Sequence, residues 1–311
     1  MTASEAHADP SQVVFGVHTG LQNTTIDELR DLWHRIESGP FDWISIWDHF
    51  YSADFTGAHC LEAVAAHTAL AAETSRVRCG SLVYCAGYRH PAVLANALVT
   101  IDHVSGGRAD LGLGAGWAHN EYAAYGIPFP SAGERLDILE ESVQCIRGLL
   151  RDETTDFSGQ HFTLTDARCE PKPLQEKLPI WIGGGGEKRT LRIAGRYADG
   201  WNVPFVAPEM FAHKREVLAG HAADAGRSID DIRCAVNIGL CPTEEDLADQ
   251  FGGLAPAVRS GVLMGSEAEM VDRLGQYLEV GVQQINLAMR APWQLDHLEM
   301  MASTIESLRS S

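Results

Sequence analysis

A (β/α)₈ barrel of the TIM type is the fold this sequence predicts, and three observations predict it. Short apolar β-rich runs alternate with longer segments of helical period, the pattern of a parallel sheet with crossover helices. Eight such runs can be counted, enough to close a barrel. The turn after the first run carries no dinucleotide glycine fingerprint, which an open doubly wound sheet would place there.

In chain order, residues 1–12 are small and polar and read as a loose tail, with the barrel spanning 13–311. Strand one is Val13 to His18. Thr25 and Glu28 form a capping box for a helix whose buried face is Leu29, Leu32, Trp33 and Ile36, stopped at Gly39-Pro40. Strand two is Trp43 to Trp47, followed by a helix with the stripe Leu61, Val64, Ala65, Thr68 and Ala72. Strand three is Val77 to Tyr84, and His90-Pro91 opens the third helix, proline being harmless in the first turn. The tight turn Ser105-Gly106-Gly107 feeds strand four at Arg108 to Gly114. Ser131 and Glu134 then cap a helix lined by Leu136, Leu139, Val143, Ile146 and Leu150. A hairpin is expected within 152–177, before strand five at Pro179 to Ile182 and a short helix from about Glu187. Strand six is Gly200 to Val203, with a helix over Pro208 to Gly226 after it. Strand seven is Ile232 to Ile238. A helix capped by Ser266 and Glu269 leads to strand eight at Gln284 to Leu287, and an amphipathic helix closes the chain.

Composition narrows the function classes. A formal charge of −18, from 24 basic against 42 acidic residues, opposes binding to nucleic acid or anionic membranes, which are held by Lys and Arg. No apolar run approaches the length of a membrane span. The seven cysteines form no C-x-x-C pair and read as reduced core thiols of a cytoplasmic protein. No histidine stands at metal spacing with a cysteine, so no metal is expected.

A barrel builds its site where its strands end. Strand two ends in Trp47-Asp48-His49-Phe50, strand four in Gly114-Ala115-Gly116-Trp117, and strand five in Gly183-Gly184-Gly185-Gly186. The glycine run before a helix is a phosphate site by construction: bare amides approach an oxyanion at the positive end of the helix dipole. Lys188, Arg189 and Thr190 add donors, and the run matches neither a Walker loop nor a dinucleotide motif. His49 is placed to donate a proton or hydrogen bond, with Asp48 as an anchor or a modulator of its pKa. Trp117, Trp181 and Trp201 are candidate walls for an aromatic cofactor or a substrate.

These motifs together resemble the luciferase-like monooxygenase superfamily, in its branch of F420-dependent oxidoreductases. The resemblance runs from residue 13 to the last helix through Asp48-His49-Phe50, Arg89-His90-Pro91-Ala92, Ser105-Gly106-Gly107-Arg108, Gly114-Ala115-Gly116-Trp117 with Asn120-Glu121, Tyr125 to Phe129, Gly183 to Thr190, and Ala198 to Asn202. It implies a bacterial-luciferase-like barrel with a deazaflavin ring across the mouth and its phosphate on the glycine loop. It also implies a non-prolyl cis peptide near Ser81-Leu82. The residues it brings to the coenzyme are Asp48, His49, Ser81, Leu82, Tyr84, Ala115, Gly116, Asn120, Gly184, Gly185, Gly186, Arg189 and Thr190. Trp117 stands where sugar-phosphate dehydrogenases of this branch carry a glutamate base. That departure counts against the glucose-6-phosphate reaction and suits, with Trp201, a larger and less charged substrate.

The expectation is therefore an F420-dependent oxidoreductase that transfers a hydride between coenzyme and an organic substrate, with His49 as the catalytic residue. The alternative is an FMN-dependent monooxygenase fed reduced flavin by a separate reductase; a third is a flavin-binding homologue without turnover. The loops expected to choose the substrate at the carboxyl-terminal face are 51–58, 152–177 and 239–265. Phe251, Leu254 and Val262 in the last are candidates for a lid or a dimer contact. A homodimer through the helices beside strands two and three is expected from the resemblance alone.

Overall fold

A computed structural model describes residues 12–51 and 59–310. The tail expected over 1–12 and most of loop 51–58 lie outside the described residues. In chain order the elements are β1 Val14–Thr19, α1 Ile26–Ser38, β2 Trp43–Ile46, α2 Ala63–Glu73, β3 Arg78–Ser81, β4 Tyr84–Cys85, α3 Pro91–Ser105, β5 Ala109–Gly114, α4 His119–Tyr125 and α5 Ala132–Arg151. They continue with β6 Thr155–Ser158, β7 Thr163–Ala167, β8 Ile180–Gly183, α6 Thr190–Tyr197, β9 Gly200–Pro204, α7 Pro208–Asp224, β10 Arg233–Leu240, α8 Glu244–Phe251, α9 Ala255–Val258, β11 Val262–Leu263, α10 Glu267–Glu279, β12 Gln284–Met289 and α11 Leu295–Ser310.

The ring closes through β1, β2, β3, β5, β8, β9, β10 and β12, every pair parallel, and β12 returns to β1. It is the expected (β/α)₈ barrel. The capping boxes read from Thr25, Ser131 and Ser266 all form, each closing two amides that helix starts leave open.

Four local expectations change. The third strand is two pieces: a cis peptide joins Leu82 to Val83, one residue beyond the expected bond, so β4 pairs with β5 separately from β3. Helix α2 buries Ala63, Ala66, His67, Leu70 and Ala71 and leaves Ala65 and Ala72 exposed, rotating the expected stripe. Its sequence is apolar on every side, so periodicity cannot select a face. The hairpin of 152–177 forms as β6 and β7, but it lies against α5, whose Glu141 accepts the amides of Gln160, His161 and Phe162, and no residue of it lines the cavity at the mouth. The segment 239–265 is ordered by a further capping box, Thr243 with Asp246, and buries Leu247, Phe251, Val258 and Val262 in a small cluster of its own; Leu254 alone of the three candidates is exposed.

The amino ends of the strands are sealed by two indoles. Trp43 and Trp181 point inward from β2 and β8 with ring centroids 5.8 Å apart. A side chain at Gly16 or Gly80 would meet Trp43, and one at Gly200 would meet Trp181. Glycine on three strands thus provides the volume that tryptophan on two others fills. Trp43 Nε1 donates to Asp110 at 2.7 Å, and Arg78 pairs with the same carboxylate. Trp181 is therefore part of the floor, contrary to its expected place as a wall of the mouth.

Candidate active site

At the opposite end the strands stop around a cavity of about 400 Å³. Its walls come from β1 (His18), the β2 end (Trp47, His49), the β3–β4 junction (Leu82, Val83), the β5 end (Gly114 to Trp117), β8 (Gly183, Gly184), β9 (Asn202), β10 (Asn237) and the β12 end (Ala288, Arg290).

His49 is held by a carboxylate that the sequence reading passed over. Glu121, on α4, presents both oxygens to His49 Nδ1 at 3.0 and 3.1 Å. The same carboxylate accepts the amides of Phe50 and Tyr51 at 3.1 and 3.2 Å and the Tyr88 hydroxyl. Only 1% of its side chain is exposed. Burial raises its affinity for a proton, but the hydrogen bonds from His49, Tyr88 and the backbone prevail and keep the carboxyl below its ordinary range. A carboxylate at Nδ1 places a proton on that nitrogen and leaves Nε2 as the exchanging end. Glu121 was present in the motif Asn120-Glu121, but only its position on the unforeseen helix α4 turns it toward His49.

Asp48 also lines the cavity, but its carboxylate is taken by other partners. Arg89 binds it at 2.6 and 3.1 Å and the Cys85 amide donates to it at 3.0 Å, tying the β2 end to β4. Tyr84 is buried with its hydroxyl 2.9 Å from His67 Nδ1 and does not reach the cavity; Tyr88 stands at the wall in its place. Ser81 is also internal, bridging to both backbone groups of Gly112 at 3.0 and 3.1 Å. Leu82 lines the cavity as expected, together with Val83. Val83 explains two of the strand-end glycines, because a Cβ at Gly114 or Gly183 would fall 2.5 or 2.6 Å from its methyls. Ala115 and Gly116 line the mouth; Gly116 has φ +78°, and a Cβ there would meet Cys85 and Tyr122. Asn120 is half-buried on α4 and outside the cavity lining.

The glycine run lies at the rim of this mouth. Gly184, φ +120°, lines the cavity and is fixed by its own amide to Asn202 O and by Trp201 Nε1 to its carbonyl, both at 2.9 Å. Trp201 is thus a buried prop beneath the loop, stacked near Phe211, and does not wall the pocket. Lys214 holds the Gly185 carbonyl at 2.8 Å. Gly185 and Gly186 continue outward from the cavity, and Thr190 begins α6 behind them. Arg189 is turned to Asp137 and Gly133 O on α5. Trp117 stands at the rim, 62% exposed, with its ring 5.4 Å from His49. His18, also unread in the sequence, shares 2.8 Å with Ser45 Oγ, and burial, then Arg290 and His49, pushes its pKa down to about 3. Arg290 lies over Trp47 and Phe251, 5.5 and 5.6 Å from their centroids.

This mouth, with its broken third strand, occurs in a chain whose residues 10–300 match the family profile described as luciferase-like monooxygenase. The chain belongs to that family. One luciferase-like relative, the F420-dependent glucose-6-phosphate dehydrogenase of Microbacterium testaceum (strain StLB037), is 33% identical over 221 residues, 70% of this chain and 65% of that protein. The matched stretch thus spans slightly less than two thirds of that relative's length. Among solved luciferase-like folds, an F420-dependent secondary alcohol dehydrogenase in complex with an F420-acetone adduct superimposes with a TM-score of 0.84 at 22% identity, covering 96% of this chain and 99% of that one. The monooxygenase RslO1 from Streptomyces bottropensis gives 0.78 at 19% identity, over 94% and 99%. At such identities the two structures speak for the barrel alone.

Proposed function

We propose that this protein is an F420-dependent oxidoreductase that moves a hydride between the deazaflavin and an organic substrate. The observation that carries the proposal is the convergence, on one mouth, of a glycine-built rim and a histidine clamped by a buried carboxylate. The rim fits a phosphate: a Cβ at Gly185 would crowd Lys214 and Val203, and one at Gly186 would lie 2.9 Å from Thr190 Oγ1, so the backbone stays bare at the start of α6. Relatives carrying F420 in their names, such as that of M. testaceum, support the choice of coenzyme.

Bound F420 supplies a carbon that gives up or takes a hydride. Leu82 and Val83 would offer it an apolar surface, while the amides of Gly185 and Gly186 would hold its charged tail. Glu121 keeps the His49 Nδ1 proton in place and fixes the ring, so Nε2 can hand a proton to a substrate atom or withdraw one. Trp47 and Trp117 shield that exchange from water. Glutamate is missing at position 117, and Glu121 reaches the site only through His49.

Absorbance and fluorescence titration with F420 and, separately, with FMN tests the proposal. A saturable F420 response with weak FMN binding is expected. Tight FMN binding with no F420 response would transfer the protein to the flavin monooxygenases that take reduced FMN from a reductase.

The outer faces of α2 and α3 carry no Lys, Arg or Asp, with Val93 63% and Val104 43% exposed on α3 among the exposed Asn96, Thr100 and His103, and Ala65 and Ala72 exposed on α2. We assign this face to a homodimer contact. Sedimentation should give twice the chain mass, and Val93→Lys should shift it toward the monomer. Among the described residues no helix is long and apolar enough to cross a membrane.

A further inference from the structure

Carboxamides occupy inward positions of β9, β10 and β12 where most barrels place branched aliphatic residues. Gln284 and Asn286 both face inward on β12. The register sets Asn286 beside Asn237 of β10 and opposite Gly16 of β1, whose missing side chain leaves room for the Asn286 carboxamide. Gln284 Nε2 donates to Asn286 Oδ1 at 3.0 Å, and Asn286 Nδ2 donates to Asn237 Oδ1 at 3.0 Å. Each amide passes its NH₂ to the next oxygen, so the relay ends on the NH₂ of Asn237, a residue of the cavity wall. Asn202, on the neighbouring strand, lines the same wall, and its Oδ1 is buried without a partner. Both asparagines are 4% exposed. Hydrocarbon at these positions would avoid the cost of under-satisfied buried amides, so their presence calls for an occupant that completes them.

The lining changes along the ring. Val83, Gly114 and Gly184 are apolar or bare, continuous with the glycine rim; Asn202, which neighbours Gly183 on β9, and Asn237 on the next strand replace them with carboxamides. We infer that Asn237 and Asn202 form a specificity-determining pair that receives the buried end of the substrate, and that this end carries a hydrogen-bond-accepting oxygen, carbonyl or carboxylate. The inference rests on the reading of the glycine side as the coenzyme side. Asn237 donates its terminal NH₂ to that oxygen. Asn202 adds a second amide donor, and its Oδ1 accepts the proton when the oxygen belongs to a hydroxyl. A carboxamide pair thus serves both the C=O and the C–OH form of one compound.

Asn237→Asp is the decisive variant, because its carboxylate still accepts from Asn286 while the end facing the cavity changes from donor to acceptor. The probes are cyclohexanone, its isostere methylenecyclohexane, and cyclohexanecarboxylate, each titrated against the fluorescence of the intact protein, in which Trp47 and Trp117 line the cavity. The native protein should bind cyclohexanone or the carboxylate roughly tenfold more tightly than the hydrocarbon, and the stronger of the two identifies the oxygen. Asn237→Asp should abolish that preference with F420 affinity unchanged. Asn202→Leu should weaken it too, without a fall in melting temperature, since it removes an unpartnered oxygen. An unchanged preference in both variants, or no preference in the native protein, overturns the inference. Loss of F420 affinity in place of probe affinity overturns it also, by giving the pair to the coenzyme. Failure of native protein to bind F420 at all removes the proposed function instead, while the oxygen preference is still read on the same protein.

Discussion

The two ends of the barrel solve the problem of its interior in opposite ways. At the amino ends of the strands, glycines on β1, β3 and β9 make room for two indoles from β2 and β8; Trp43 and Arg78 pair on Asp110, while Trp181 Nε1 is buried without a partner. At the carboxyl ends Gly114 of β5 and Gly183 of β8 yield to one valine, Val83, and the volume that remains is ringed by groups held in place but left with one free end: His49 Nε2 and the Asn237 NH₂. The difference shows how one scaffold separates stability from function. Large side chains plug the ring at one end, and polar groups with a free end line it at the other.

The contrast breaks most readily at the floor. Trp43→Ala should cost about 3–5 kcal/mol, seen as a lower denaturant midpoint, while the folded fraction keeps native F420 affinity; a loss of affinity with stability intact would refute the separation. At the mouth, His49→Ala should slow turnover by ~10²–10⁴-fold at nearly unchanged melting temperature. Glu121→Gln should follow with a loss of roughly 10–100-fold, because the imidazole loses the carboxylate that orients it.

Glu121 also predicts a pH effect of definite sign. Its folded pKa lies below its unfolded one, so its contribution to stability is fully present above the ordinary carboxylate range and disappears as pH falls through the folded value. Thermal melts from neutrality toward pH 3 should therefore converge for native protein and Glu121→Gln, the native advantage vanishing only in acid. The smallest effect belongs to the prop beneath the rim: Trp201→Phe removes one hydrogen bond to Gly184, about 1 kcal/mol, and should weaken F420 by a few fold with little change in folding. An F420 affinity that did not move would separate Trp201 from the loop it supports.

Legibility in the sequence follows the same division. The eight strands, the capping boxes and the glycine rim were readable because each depends on residues within a few positions of one another. The buried face of α2 was not, since an alanine-rich helix offers no periodic contrast. The resemblance implies Tyr84 and Ser81 at the coenzyme, and its position at a strand end makes Trp201 a candidate pocket wall; the structure buries all three as supports. Asp48 and His49 both line the cavity, as their adjacency at a strand end suggests, but Asp48 is engaged by Arg89, and the carboxylate that holds His49 comes from position 121, 72 residues away.

Local periodicity and turn chemistry, carried by short-range sterics and hydrogen bonds, were enough for the amino-acid sequence alone to determine the barrel and the helix starts at Thr25, Ser131 and Ser266. Only the closed ring decided which tryptophans plug the floor, which glycines yield to Val83, and that Glu121, Asn202 and Asn237 meet at the mouth. Those choices depend on volumes and donors contributed by strands far apart in the chain, and such distances are defined only once the barrel has closed.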